Sequence, residues 1–149
     1  TNDIASPHLN GITEQGQPEG KTADATMFSP SIAFTAGEVI STLGDLKKWG
    51  HALFTGDGIL KPSTEKLRRD SLITNIPPMT PTAAYGIGIG KRNGWWGHDG
   101  EIPGYTTSLF HNDELDTTII VEVNSDVAFG SANTAPSTAV FGALMAALK

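Results

Sequence analysis

Apolar residues along this chain recur first with a helical spacing and later with a strand spacing. Leu43, Leu46, Trp49, Ala52 and Leu53 return every three or four positions, which predicts a helix over residues 38–53. Ser41 or Thr42 would cap it, with Thr42 and Asp45 imitating a capping box. Gly56-Asp57-Gly58 follows as a turn. Residues 62–72 predict a shorter helix, capped by Ser63 and with Leu67 facing inward. Pro77, Pro78 and Pro81 then exclude regular structure.

From Ala84 onwards the spacing is two. Tyr85, Ile87 and Ile89 alternate with Gly86, Gly88 and Gly90, which predicts a strand with one bulky face and one bare face. Lys91-Arg92-Asn93-Gly94 predicts a turn. A second strand opens at Trp95 and Trp96 and runs into His98, and residues 105–110 form a third. A polar turn at 111–114 precedes the fourth strand, 117–123, which is apolar on both faces as a central strand would be. The short links imply an antiparallel meander in a sheet with more strands than this chain supplies. Residues 133–137 read as a loop with a cap, and Val140, Leu144, Met145 and Leu148 as the apolar stripe of a final helix.

This order of elements predicts an α+β protein with helices flanking an antiparallel sheet. Three successive segments are expected. Residues 1–30 are extended and irregular, broken by Pro7, Gly11, Gly16, Pro18, Gly20 and Pro30; residues 31–81 belong to a helical region; residues 82–149 hold the strands and the terminal helix.

Composition narrows the chemistry. With 38% hydrophobic residues and 17 glycines among 149, the chain is compatible with a packed core. The absence of cysteine excludes disulfides, thiol nucleophiles and thiolate metal sites. His8, His51 and His111 lack a metal-ligand spacing, so neither a metal nor a cofactor is expected. The formal charge is −6, and Lys61, Lys66, Arg68 and Arg69 form the one basic cluster, diluted by Glu65 and Asp70. It reads as a solvated helix face, and nucleic acid is not an expected partner. The glycine run 86–90 is not a nucleotide fingerprint, since it is not Gly-x-Gly-x-x-Gly and no helix follows it. No apolar run approaches the roughly 20 residues that a bilayer span requires.

Four short motifs occur in an informative order. Residues 35–46, Thr-Ala-Gly-Glu-Val-Ile-Ser-Thr-Leu-Gly-Asp-Leu, form a glycine-to-helix passage. Tyr85-Gly86-Ile87-Gly88, His98-Asp99-Gly100 and Gly104-Tyr105-Thr106 follow. Across residues 28–148 the chain resembles the C-terminal portion of class C type serine β-lactamases, D-alanyl-D-alanine carboxypeptidases and the esterases that share their fold. The resemblance implies a β-lactamase/transpeptidase-like fold, of which only the C-terminal part is present.

It also implies a site. His98-Asp99-Gly100 stands where that family has a Lys-Thr-Gly or His-Thr-Gly triplet. His98 would give electrostatic or hydrogen-bonding support rather than act as the primary base. Asp99 would face substrate in place of a hydroxyl donor; an ionised Asp only accepts, which disfavours anionic substrates and favours a neutral ester or amide, or a substrate carrying an amine. The amide of Glu101, after Gly100, would supply half of an oxyanion hole. Strand alternation gives one of Trp95 and Trp96 to the core and the other to a cleft wall or subunit contact, and Trp96 is assigned the substrate side.

The family's nucleophile motif, Ser-x-x-Lys, and its Tyr-x-Asn triplet are expected in an N-terminal segment of the same precursor. Ser63-Thr64-Glu65-Lys66 matches the first pattern, but it lies downstream of the glycine passage, and helix capping explains Ser63 better. The expected activity is acyl transfer to serine followed by hydrolysis of a small ester, amide or peptide, with this chain alone inactive. A periplasmic, cell-envelope or secreted location accompanies the resemblance. A non-catalytic module binding peptide, cell-wall or protein partners is the alternative. Uncovered sheet edges favour self-association, with a homo-oligomer as the outcome.

Overall fold

The computed structural model describes residues 10–56, 58–128, 130 and 132–148. His8, and Asp57 of the expected turn at 56–58, lie outside them. In chain order the elements are β1 (Ile12–Thr13), β2 (Ala23–Asp24), a 3-10 segment (Pro30–Ala36), α1 (Leu43–Thr55), α2 (Pro62–Asp70), β3 (Ala83–Tyr85), β4 (Gly90–Arg92), β5 (Trp95–Ile102), β6 (Tyr105–Asn112), β7 (Thr117–Val123) and α3 (Pro136–Ala147). Strands β3 to β7 form one sheet in sequential order, and β1 and β2 pair separately. The antiparallel sheet and its helices make an α+β fold, as the hydrophobic pattern implies.

The run from Tyr85 to Gly90 is not the continuous strand that its alternation suggests. It folds into a hairpin in which Tyr85 pairs with Gly90. The Gly86 amide donates to the Ile89 carbonyl at 2.9 Å, and Gly88 has φ of +61°. Three alternating glycines weaken a strand and supply the positive φ that a tight turn needs. Ile89 is buried as a result, whereas Ile87 is exposed. Lys91 and Arg92 belong to β4, so the next turn shrinks to Asn93-Gly94, with φ of +50° and +89°. Two consecutive positive φ values are what a two-residue hairpin turn demands. β5 and β6 run longer than expected, and the polar turn moves beyond Asn112. β7 matches its expected bounds and stands at one end of the sheet order of this chain, with Ile119 and Val121 buried. Partial desolvation raises the carboxyl of the otherwise exposed Glu122 above its ordinary range.

The chain divides into two compact units, residues 43–98 with 109–120, and residues 1–42 with 99–108 and 121–149. Phe54, Ile89, Trp96 and Leu109 form the core of the 43–98/109–120 unit, joined by Leu46, Leu53, Leu72 and Ile120. Burying each of these large side chains contributes about 2 kcal/mol. Gly97 permits the close strand packing here, because a Cβ would lie 2.0 Å from the Leu109 carbonyl oxygen.

α1 begins at Leu43 rather than residue 38. Val39, Ile40, Ser41 and Thr42 are β-branched or short polar residues that resist helix formation, and none of them is helical. Leu43 and Trp49 are exposed; Gly50 and Phe54 define the buried side instead. α2 ends at Asp70, its N-cap is Lys61, and Pro62 rather than Ser63 starts it. Leu67 faces outward, while Leu72, beyond the helix, packs on the core.

The basic cluster is solvated only in part: Lys61 and Lys66 are exposed, whereas the two arginines turn inward. Arg68 is 8% exposed, and its Nη2 donates to the Leu53 carbonyl at 2.9 Å. Arg69 Nη2 donates to the Phe54 carbonyl at 2.7 Å. Both arginines therefore satisfy carbonyls in the last turn of α1, where intrahelical donors run out. Glu65 receives Arg68 and Arg69 on its two oxygens. Burial would raise the Glu65 carboxyl, but hydrogen bonds and charge from the two arginines outweigh it and hold it below its ordinary range.

In the unit of residues 1–42, 99–108 and 121–149, the segment expected to be irregular is partly ordered. Asp126, 4% exposed, accepts from Thr13 Oγ1 at 2.5 Å, the Glu14 amide at 2.9 Å and the Gly104 amide at 3.0 Å. A buried carboxylate needs such donors to offset its desolvation. Gly104, with φ of +85°, has no room for a side chain, since a Cβ would lie 2.9 Å from that of Ala25. α3 buries Pro136, Ser137 and Phe141. Val140, Leu144 and Leu148, expected on the inner stripe, are exposed. One residue along a helix turns the side chain by about 100°, so burying Phe141 rotates that stripe outward.

Candidate active site

β5 carries the triplet His98-Asp99-Gly100 in its middle. Successive strand residues project to opposite faces, and burial follows that alternation: His98 is exposed and Asp99 half-buried.

In the unit of residues 43–98 and 109–120, His98 meets Tyr85. The Tyr85 hydroxyl and His98 Nε2 are 2.7 Å apart, and the rings contact edge to face with centroids 5.4 Å apart. Sheet register brings the two backbones near each other, with Gly97 the residue before His98. Tyr85 lies opposite Gly90, and Gly90 opposite Gly97. Two glycines side by side leave no side chain between the tyrosine and the strand that carries the histidine. Such a pair can hold, donate or accept a proton at solvent.

Trp96 does not line an open surface. It is 9% exposed and belongs to the hydrophobic core. Lys91 Nζ lies 4.4 Å and Arg69 Cζ 4.9 Å from a ring centroid of Trp96. Trp95 is buried as well, so alternation does not expose either indole. The cations cover what the strand face alone would leave open.

In the other unit the Asp99 carboxylate accepts from Ser108 Oγ at 2.5 Å. Ser108 Oγ is also 3.1 Å from Ser137 Oγ, and both serines are fully buried. A hydroxyl has one proton, so Ser137 donates to Ser108 while Ser108 donates to Asp99. The Ser137 amide donates to Thr106 Oγ1 at 3.2 Å, and Thr106 Oγ1 donates to the Ser125 carbonyl at 3.1 Å. The Asp99 carboxylate, expected to face substrate, thus turns to an internal run of hydroxyls. Gly100 and Glu101 are exposed, and the Glu101 side chain accepts from Gln15 Nε2 at 3.3 Å.

The triplet therefore separates into a solvent-facing histidine and an inward carboxylate. The Tyr85 contact was not legible, although Tyr85 stands in one of the four motifs; reading residues 85–90 as one straight strand hid it. Ser108 and Ser137 gave no signal, because buried serines share their composition with turns. Among the described residues, no group of three or more His, Asp or Glu side chains could hold a metal ion. No helix among them is long and apolar enough to cross a membrane.

The sequential antiparallel sheet with its flanking helices places the chain in the β-lactamase-like class of folds. Residues 2–141 match the Beta-lactamase family, and the chain belongs to it. It is similar to the D-stereospecific amidohydrolase from Streptomyces sp., with 25% identity and a TM-score of 0.71 over 87% of this chain and 38% of that one. It is also similar to the D-amino acid amidase from Ochrobactrum anthropi SV3 in complex with D-phenylalanine, with 27% identity and a TM-score of 0.73. That match covers 93% of this chain and 43% of the amidase. The chain thus spans about two fifths of the length of these solved relatives.

Proposed function

We propose that this chain is the C-terminal part of a serine hydrolase that cleaves a small amide or ester through an acyl-serine intermediate. The observation that carries the reading is the solvent-facing Tyr85–His98 pair on the strand where the family's triplet falls. His98 supports the transition state by hydrogen bonding or charge, and the Glu101 amide is the oxyanion donor. The serine and its base belong to a preceding segment of the same precursor. The two amide-cleaving relatives favour an amide, and a D-amino acid amide is the substrate class to try first. The place of action on this reading is the periplasm, the cell envelope or the exterior.

The complete protein is treated with a fluorescent phosphonate that reacts with activated serines. Labelling of a serine in a Ser-x-x-Lys upstream of residue 1 is expected, together with turnover of D-phenylalanine amide. His98→Ala is expected to slow turnover by about 10²-fold or more. A well-folded complete protein that takes no label overturns the enzyme and leaves the peptide- or cell-wall-binding module in its place.

A further inference from the structure

The contact between Tyr85 and His98 has a direction. A neutral imidazole has one nitrogen that donates and one that accepts, and the partner of each nitrogen decides which. A phenol is a strong donor and a weak acceptor, whereas an unprotonated imidazole nitrogen is a strong acceptor. At 2.7 Å the favoured arrangement has the Tyr85 hydroxyl donating to His98 Nε2. The ring proton of neutral His98 then resides on Nδ1. Free histidine prefers the opposite tautomer, with the proton on Nε2.

The backbone holds Tyr85 in place. Tyr85 is the last residue of β3, its carbonyl accepts from the Ile73 amide at 2.9 Å, and the residue opposite it is Gly90. A Cβ on Gly90 would stand 3.5 Å from Tyr85 Cδ2 and 3.2 Å from the Gly97 carbonyl oxygen. Gly90 therefore leaves room for the phenol ring close to the sheet, and the hydroxyl reaches His98 Nε2.

We infer that Tyr85 is a positioning residue that holds His98 in its Nδ1–H tautomer, so that the histidine enters the reaction as a fixed N–H donor. The tautomer is a property of the pair; its use in catalysis rests on the hydrolase reading above. Tyr85 acts through His98.

The test uses the complete protein with ¹⁵N-labelled histidine, at about pH 9, well above the ordinary imidazole pKa of about 6.5. Long-range ¹H–¹⁵N spectra report which nitrogen of His98 is protonated, and His98→Gln assigns its signals. The expected result is Nδ1–H in the parent protein and a shift toward Nε2–H in Tyr85→Phe. The phenyl ring preserves the edge-to-face contact, and circular dichroism checks the fold. Turnover by Tyr85→Phe is expected to lose about five- to tenfold in kcat with KM little changed, the size of one net hydrogen bond. A parent protein with His98 as Nε2–H overturns the inference even if Tyr85→Phe does not fold. An unchanged tautomer in the variant, or a shifted tautomer with unchanged kcat, also overturns it. The spectra need no turnover. The expected tautomer shift in a protein that labels no serine therefore supports the pairing while removing the hydrolase reading.

Discussion

Ser108 gives its hydroxyl proton to Asp99 at 2.5 Å from a position with no solvent exposure. The carboxylate in the triplet thereby anchors β5 to β6, and Ser137 extends the anchor to the first turn of α3. Removing the Ser108 hydroxyl takes a donor from a half-buried carboxylate. Ser108→Ala is expected to lose about 1–3 kcal/mol of stability, measured by urea unfolding. An unchanged midpoint and slope would show that water replaces the hydroxyl at no cost.

The same anchor changes the expectation for substrate choice. If Asp99 met substrate, Asp99→Thr would favour an anionic β-lactam over a neutral ester. With the carboxylate turned inward, the substitution is expected to lower the melting temperature and, on the hydrolase reading, to change any turnover of either substrate by the complete protein in equal proportion. Parallel assays with a chromogenic cephalosporin and a short-chain nitrophenyl ester decide it. A selective gain on the β-lactam would return Asp99 to the substrate.

Glu65 links stability to pH. Its folded carboxyl titrates below the ordinary range, so the stabilisation it brings is fully present above its unfolded pKa, near 4.5. That stabilisation is lost as pH falls through the lower folded value. Glu65→Gln leaves Arg68 buried beside a neutral partner and is expected to cost about 3 kcal/mol at pH 7. The gap between variant and parent should close as the pH is lowered below 4.5. Melting curves across that range test it, and a gap that persists unchanged in acid would place the loss in packing.

Glu122 has the opposite sign. Partial desolvation raises the folded carboxyl of this otherwise exposed residue, so ionisation carries a small cost in stability once the pH exceeds the folded value, and the cost disappears as pH falls below the unfolded one. Glu122→Gln is expected to raise the melting temperature at pH 7 and to have no effect at strongly acidic pH. Destabilisation at pH 7 would indicate a favourable partner for the carboxylate.

Gly97→Ala is the harshest single methyl in the sheet. The added carbon would sit 2.0 Å from the Leu109 carbonyl oxygen and 2.7 Å from Phe110 Cα. Backbone atoms cannot rotate aside as a flexible side chain can, so a loss of about 3 kcal/mol or more is expected. Soluble yield and guanidinium unfolding give the measurement. A variant as stable as the parent would mean that the two strands can part locally without cost.

The hydrophobic period made the element types legible, and β7 even to its bounds, because its β-branched residues agree with its environment. Periodicity failed where glycine intervened. Tyr85, Ile87 and Ile89 alternate as a strand does, yet the intervening glycines let the chain reverse. It failed again where two faces of a helix competed: Val140, Leu144 and Leu148 make a good stripe, but the larger Phe141 takes the buried side. The motif singled out His98 as a candidate, but gave no hint of its contact with Tyr85. The inward turn of Asp99 was not, since it depends on two serines that no local pattern connects to it.

Asp126 sets a limit on how far the protein can be shortened. Its donors come from the adjacent Thr13 and Glu14 and from Gly104, far along the chain. A version beginning after residue 14 would keep the carboxylate while discarding two of the three groups that neutralise it. The missing N-terminal residues would then be felt at the turn between β5 and β6, and trimming that looks harmless on a sequence map would loosen the strand that carries the triplet.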